Sequence, residues 1–288
     1  MTDHPDNRSR EDDTETADAL VPGARNIIAV GAGKGGVGKS TVAVYMALAL
    51  TRGGASVGLL DADVYGPSIP RMLGAGNARP DMVGERLQPV EAQGLRLMSI
   101  GFLVDPDQAV AWRGPLVHRA LEQLLGDVDW GDLDTLVVDL PPGTGDVHLS
   151  LAQLVPVTGA VVVSTPQQVA LQDAVKAVTL YMRTGIEILG LVENMSSFVC
   201  PHCGKATELF GHGTVQEAAT RMGAAYLGDV PLNLSIRASG DDGDPSAVLD
   251  AGGPAAEAIN ALAANLTARI TERLATKPPP QVLAVRKG

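Results

Sequence analysis

A chain of 288 residues with 45% hydrophobic content is long enough to bury a full core. Its formal charge of −11 lacks the basic surplus that nucleic acid or an anionic membrane demands, so neither is expected as a partner. No apolar run approaches the roughly 20 residues of a membrane span, the first eighteen residues do not read as a signal peptide, and two cysteines argue against an extracellular disulfide scaffold, so a cytoplasmic location is expected.

Residues 1–22 are rich in Asp, Glu, Arg, Thr and Ser and read as a disordered acidic tail. The first strand is expected at 27–31, from the β-branched run Ile27-Ile28-Ala29-Val30, and the first helix at 39–52. Further strands are expected at 56–61, 95–99, 135–139, 159–164 and 188–193. Helices are expected at 115–125, 167–183, 213–222 and 254–275. Lys277-Pro278-Pro279-Pro280 ends the last helix and opens a C-terminal tail, 277–288. Such alternation predicts an α/β fold, a mostly parallel sheet with helices on both faces, in a single domain over 23–276.

Between the first strand and first helix lies Gly33-Lys34-Gly35-Gly36-Val37-Gly38-Lys39-Ser40, a phosphate-cradling loop in the strand-to-helix context it needs. The glycines remove the Cβ atoms that would keep backbone N–H groups from converging on an anion, and the helix start adds its positive dipole end. Lys39 is expected to neutralise the β- and γ-phosphates, the Ser40 hydroxyl to take one position on Mg²⁺, and Thr41 to help hold the α-phosphate. Gly31-Ala32-Gly33-Lys34-Gly35-Gly36 also satisfies G-x-G-x-x-G, but a dinucleotide fingerprint has no use for the Lys39-Ser40 pair. The fold is therefore expected to be a P-loop NTPase binding ATP.

Carboxylates at the ends of neighbouring strands complete such a site. Asp139 ends the strand 135–139 and is assigned to hold Mg²⁺ through a water; Pro141–Asp146 follows as a switch sensing the γ-phosphate. Asp63 is assigned to position the hydrolytic water and Asp61 to the metal's second shell. Lys34, Lys39, Asp63 and Asp139 form the expected catalytic set.

The two cysteines stand as Cys200-Pro201-His202-Cys203 in a loop. One C-x-x-C is open between a zinc half-site, an iron–sulfur half-site and a redox dithiol. Two thiolates do not complete a four-ligand site, so the count predicts a site shared across a dimer, the alternative being ligands borrowed from His202 or His212 within the chain.

With these parts assembled, the chain resembles the Mrp/ApbC family of iron–sulfur cluster carrier ATPases. The resemblance covers residues from about 21 to 249 and includes Asp61-Ala62-Asp63-Val64-Tyr65-Gly66-Pro67-Ser68, Trp112-Arg113-Gly114-Pro115, and Asp139 through Asp146. It continues with Glu193-Asn194-Met195-Ser196, the cysteine pair, and Ile236-Arg237 with Asp241, Asp242, Gly243 and Pro245. Lys34 resembles the extra lysine of the deviant Walker A loop of MinD-like proteins, which implies that it reaches the nucleotide of the facing subunit. The family implies a homodimer binding a 4Fe-4S cluster through both cysteine pairs, weak ATPase activity, and transfer of the cluster to apo-proteins. It also implies that Asn194 hydrogen-bonds the adenine and that the Pro231 region flanks the base. Other functions sharing this loop are a zinc-clamped targeting ATPase and a MinD/ParA-type positioning ATPase. The first wants a Met-rich groove, whereas the eight methionines here are scattered; the second wants a basic surface.

Overall fold

The structure is a computed structural model that describes residues 20–103, 114–143, 145–200 and 202–283. Most of the expected acidic tail, together with Trp112, Arg113, Thr144, Pro201 and residues 284–288, lies outside the described residues. Val21 is already in the core at 4% exposure, ahead of the boundary expected at 23.

The chain order is β1 (Ile27–Gly31), α1 (Lys39–Arg52), β2 (Val57–Asp61), α2 (Ile69–Met72), a small ribbon of β3 (Met82–Val83) and β4 (Arg86–Leu87), β5 (Val90–Ala92), β6 (Leu95–Ser99) and α3 (Gly114–Gly126). It continues with β7 (Thr135–Asp139), α4 (Asp146–Leu154), β8 (Gly159–Ser164), α5 (Gln168–Arg183), β9 (Ile188–Val199), β10 (Ala206–Thr207) and α6 (Thr214–Met222). β11 (Tyr226–Leu232), α7 (Leu234–Asp242), α8 (Ser246–Ala251) and α9 (Pro254–Thr276) complete it. The strands expected from sequence are present, with β9 running six residues past its expected end at 193.

One sheet carries the order β10-β9-β8-β1-β7-β2-β6-β5, with β11 beside β9. All pairings in it are parallel except β9 with β10 and β5 with β6. Every residue of β1, β2, β7 and β8 is buried, as in a strand covered on both faces by helices. Helix α1 and the long α9 pack on one another, while α3 packs on α4 and α5 on α6. The carboxyl ends of β1, β2 and β7 lie side by side: Val30 pairs with Asp139, and Asp139 with Asp61. Such ends are where open α/β sheets place their ligands. No helix among the described residues is long and apolar enough to cross a membrane.

Close packing holds the phosphate loop from beneath. A Cβ on Gly31 would meet the Tyr181 hydroxyl at 2.2 Å, and one on Gly33 would meet the Asp173 carbonyl carbon at 2.0 Å, so α5 presses directly on the loop's base. Tyr181 packs in turn on His148 of α4, ring centroids 5.5 Å apart, and among the described residues neither imidazole nitrogen has a hydrogen-bond partner. Burial, reinforced by the Lys39 charge, lowers the His148 pKa from 6.5 to about 4. Between those values the unfolded chain binds the proton and the folded one does not. The His148 contribution to stability is therefore full above pH 6.5 and falls as pH drops through the window, by about 3 kcal/mol at its lower end, against the opposite contribution of Asp61, whose pKa is raised to about 7. We expect His148→Leu to flatten that part of the pH profile, as read from urea midpoints at pH 7 and pH 4.5.

Candidate nucleotide site and thiol hairpin

The sequence from Gly33 to Ser40 can wrap tightly because Gly36 and Gly38 adopt φ of 80° and 79°, a region that suits glycine. Helix α1 begins at Lys39 and turns its amino end toward the loop. Lys39 is only 6% exposed. Its Nζ lies 2.7 Å from Asp139 Oδ1 and 3.5 Å from Asp63 Oδ2, so three of the four expected catalytic residues meet at one point. The Ser40 hydroxyl donates to Asp139 Oδ2 at 2.6 Å. Full burial raises the Asp139 pKa, opposed by the Lys39 charge and the Ser40 hydrogen bond.

Asp61 is fully buried beside them. Burial first, and the Asp139 charge second, push its pKa up to about 7. Its Oδ1 accepts from the Asp63 N–H at 3.2 Å; its Oδ2 accepts from the Ile69 N–H at 3.2 Å and the Ser99 hydroxyl at 3.1 Å. Asp61 thus braces the turn that presents Asp63.

Above the loop a cavity of about 220 Å³ is lined by Lys34, Gly36, Lys39, Ser40, Thr41 and Asp63, among others. It shares Gly38, Thr41, Ser68 and Met72 with a neighbouring cleft of about 430 Å³, so the two form one groove. The cleft is bounded by Asn194, Met195 and Pro231 on one side and by Ile236, Arg237 and Asp241 of α7 on the other. A small cavity carrying Lys34, Lys39, Ser40 and Thr41 at a helix start, opening into a larger, mainly apolar cleft, fits a phosphate tail and a base. Ser40 and Asp139 supply the hard oxygens that Mg²⁺ takes, so the donor set fits that ion.

Asn194 closes the groove's inner wall. Its Nδ2 donates to the Val37 carbonyl at 2.8 Å, which ties the groove wall to the phosphate loop. A Cβ on Gly38 would sit 2.1 Å from that Nδ2. Gly38→Ala should therefore displace Asn194 and strain the loop together, costing about 1–3 kcal/mol of stability and weakening ATP binding at least about ten-fold. Gly36→Ala, with nothing within 4 Å, should cost only the strain of its positive φ, about 1 kcal/mol. Thermal melts and ATP titrations of the two variants check the difference.

Lys34 lines the phosphate cavity and makes no ion pair among the described residues. The groove residues that sequence reasoning left without a role include Ser68, Met72, Ile236, Arg237 and Asp241. Four of these five stood in motifs, Ser68 in Asp61–Ser68 and three in Ile236-Arg237…Asp241, but the fold that brings α7 over the cleft was not visible.

The cysteines sit at the tip of a β-hairpin. β9 and β10 pair antiparallel through Val199–Ala206 and Phe198–Thr207. Within the turn the Gly204 N–H donates to the Cys200 carbonyl at 2.8 Å and the Cys200 N–H to the Lys205 carbonyl at 3.0 Å. Both thiols are free, Cys200 partly buried and Cys203 exposed. Backbone N–H groups of His202 and then Cys203, directed at the Cys200 sulfur, lower its pKa, an arrangement that favours a ligating thiolate. No cluster of three or more His, Cys, Asp or Glu side chains able to hold a metal occurs among the described residues. His212 is not drawn toward the thiols; its Nδ1 lies 2.9 Å from Glu193 Oε1.

Residues 23–267 match the family model described as ParA: NUBPL iron-transfer P-loop NTPase. An iron–sulfur cluster carrier protein of Deinococcus radiodurans is 48% identical over 91% of this chain and 75% of its own length. The iron–sulfur cluster transfer protein NUBPL of Dictyostelium discoideum is 52% identical over 82% of this chain and 74% of its own. Among solved structures, a nucleotide-binding protein of Archaeoglobus fulgidus in complex with ADP is 40% identical with a TM-score of 0.69, covering 77% of this chain and 88% of that one. A nucleotide groove built on the Gly33–Ser40 loop, matched over most of the chain, places this protein in the NUBPL iron-transfer P-loop NTPase family.

Proposed function

We propose that this protein is an ATP-binding and ATP-hydrolysing carrier of iron–sulfur clusters. It acts in the cytoplasm as a homodimer, holds one 4Fe-4S cluster on Cys200 and Cys203 of both protomers, and passes it to apo-proteins. The observation that carries this reading is that a single strand serves both parts: β9 bears Asn194 at the nucleotide groove and Cys200 just beyond its end. The catalytic unit is the segment 23–276, between the two tails.

In the nucleotide half, Gly33, Gly35, Gly36, Val37 and Gly38 offer backbone N–H groups to the phosphates, and Thr41 holds the α-phosphate. Lys39 then leaves its carboxylate partners to neutralise the β- and γ-phosphates. Ser40 and Asp139 would hold Mg²⁺, with Asp61 behind them, and the ion would supply charge neutralisation at the transferred phosphate. Asp63 orients the attacking water, and Asn194 reads the adenine with its amide oxygen. Lys34, the cation of the loop without a carboxylate partner among the described residues, reaches the nucleotide of the facing protomer. Pro141–Asp146 responds to loss of the γ-phosphate.

In the thiol half, two hairpins from two protomers bring together the four thiolates that a cluster requires. Anaerobic reconstitution with iron and sulfide tests this directly. The dimer fraction should hold about four irons and four sulfides, with a broad visible absorption band. Stoichiometric zinc with no cluster uptake would instead make the hairpins a structural clamp and the protein a targeting ATPase.

A further inference from the structure

We propose that Glu193 is a positioning residue that transmits the state of the nucleotide groove to the thiol hairpin, a link that rests on the carrier reading above. The segment that carries the thiols runs on past Glu193, where pairing with β8 ends, and comes back to the same side chain. The Glu193 carboxylate is 0% exposed, and three donors from the returning end reach it. Its Oε1 takes the Gly213 N–H at 2.8 Å and His212 Nδ1 at 2.9 Å, and its Oε2 takes the Val215 N–H at 3.0 Å. Gly213 is the N-cap of α6 and has no side chain to offer, so Glu193 caps that helix from the strand. The cysteine hairpin is thereby a loop stapled at its base by one carboxylate.

The adjoining residues face the nucleotide. Asn194, on the opposite side of the strand from Glu193, holds the Val37 carbonyl of the phosphate loop. Met195, next in line, lines the base cleft and has φ of 60°, rare for a residue with a side chain. The Ser196 hydroxyl donates to Asp229 Oδ2 at 2.5 Å, and the β9–β11 register slips just beyond, between Val230 and Leu232. A ligand that presses on Asn194 and Met195 therefore acts on the two residues between the staple and the hairpin's outgoing arm. If it binds the two arrangements of this strand unequally, it shifts the separation of Cys200 from the rest of the molecule.

Glu193→Gln tests the link in the full-length protein. Whichever way the amide turns, one of the two oxygens becomes a donor, so either the Gly213 or the Val215 N–H loses its acceptor. Three quantities are read: cluster content, ATP affinity, and the ratio of transfer rates to an apo-acceptor with and without ATP. Glu193→Gln should keep the first two within about two-fold of wild type while the ratio falls to about one. His212→Ala, at an exposed position, should lower the ratio about two-fold and serves if the Gln variant does not fold. A wild-type ratio in either soluble variant overturns the proposal, as does a lowered melting temperature with an unchanged ratio.

Hydrogen exchange of residues 198–215 separates this from failure of the carrier reading. ATP should alter protection there in wild type and not in Glu193→Gln, whether or not a cluster binds. No ATP effect in wild type overturns the link alone, and absence of any cluster from wild type overturns the carrier reading alone.

Discussion

Replacing Cys200 with alanine should reduce the iron bound after anaerobic reconstitution from about four per dimer to background, while ATP affinity stays within about two-fold of wild type. The separation follows from geometry. Cys200 lies in the turn between β9 and β10, and its backbone hydrogen bonds run to Lys205 and Gly204, away from the phosphate loop. Its sulfur, drawn toward the thiolate by the N–H groups of His202 and Cys203, has no packing role to lose. Cys203 is exposed, so Cys203→Ala should likewise move stability by no more than about 0.5 kcal/mol yet abolish the cluster, because two two-thiol half-sites tolerate no missing member. Iron and acid-labile sulfide assays, beside an ATP titration, check both variants. A stable cluster in either would show that the hairpin is not the ligand set.

The second large effect concerns Lys39. Its ammonium holds Asp139 at 2.7 Å and Asp63 at 3.5 Å in a region where all three are at most 8% exposed. Lys39→Ala removes the only cation within ion-pair distance of either carboxylate among the described residues, which costs about 3–5 kcal/mol where a buried charge loses its partner. The nucleotide-free protein should melt about 6–10 °C lower. Protonation of Asp139 relieves part of that loss, so the deficit should shrink toward acid pH. Hydrolysis should fall by about 10²–10³ as the donor to the transferred phosphate disappears. Lys34→Ala is the informative partner experiment. With no ion pair among the described residues, Lys34 should contribute little to the melting temperature, while hydrolysis should fall on the role proposed for it across the dimer. Calorimetry and phosphate-release assays on the two variants separate the lysines. Equal losses of stability would contradict this division of roles.

Much of this site was legible because its chemistry is local. The loop from Gly33 to Ser40 is contiguous, and its flanking runs, buried on both faces, announce a strand and a helix by composition alone. Asp139 and Asp63 could be placed because each ends such a run. The central strands were equally plain: Val161-Val162-Val163 has no polar interruption to confuse it. β11 was not, since Gly228, Asp229 and Pro231 are turn formers, and only pairing with β9 makes them a strand. The far half of β9 was hidden for the same reason, Asn194, Ser196 and Ser197 reading as the end of an element. α7 escaped because its sequence, LSIRASGDD, carries little apolar patterning; what fixes it is contact with α2 and α8 and its Asn233 cap, whose side chain accepts from Ser235 and Ile236. Glu193 could not be read as a staple, because its partners at 212–215 return through a hairpin whose closure no local pattern reveals. Asp61 is expected in the metal's second shell from its place at a strand end; that it also braces the turn, accepting from Asp63, Ile69 and Ser99, only the fold reveals.

On the reading proposed above, a nucleotide machine and a thiol hairpin on one strand make a nucleotide-governed cluster carrier. That reading is tested most directly by mixing the reconstituted dimer with an apo iron–sulfur enzyme and following the return of that enzyme's activity, with and without Mg–ATP, under strict anaerobiosis. Activity should return at a rate that depends on ATP in the wild type and loses that dependence in Lys39→Ala. A cluster that stays on the protein regardless of acceptor, or a transfer rate identical with and without ATP in both proteins, would contradict the account.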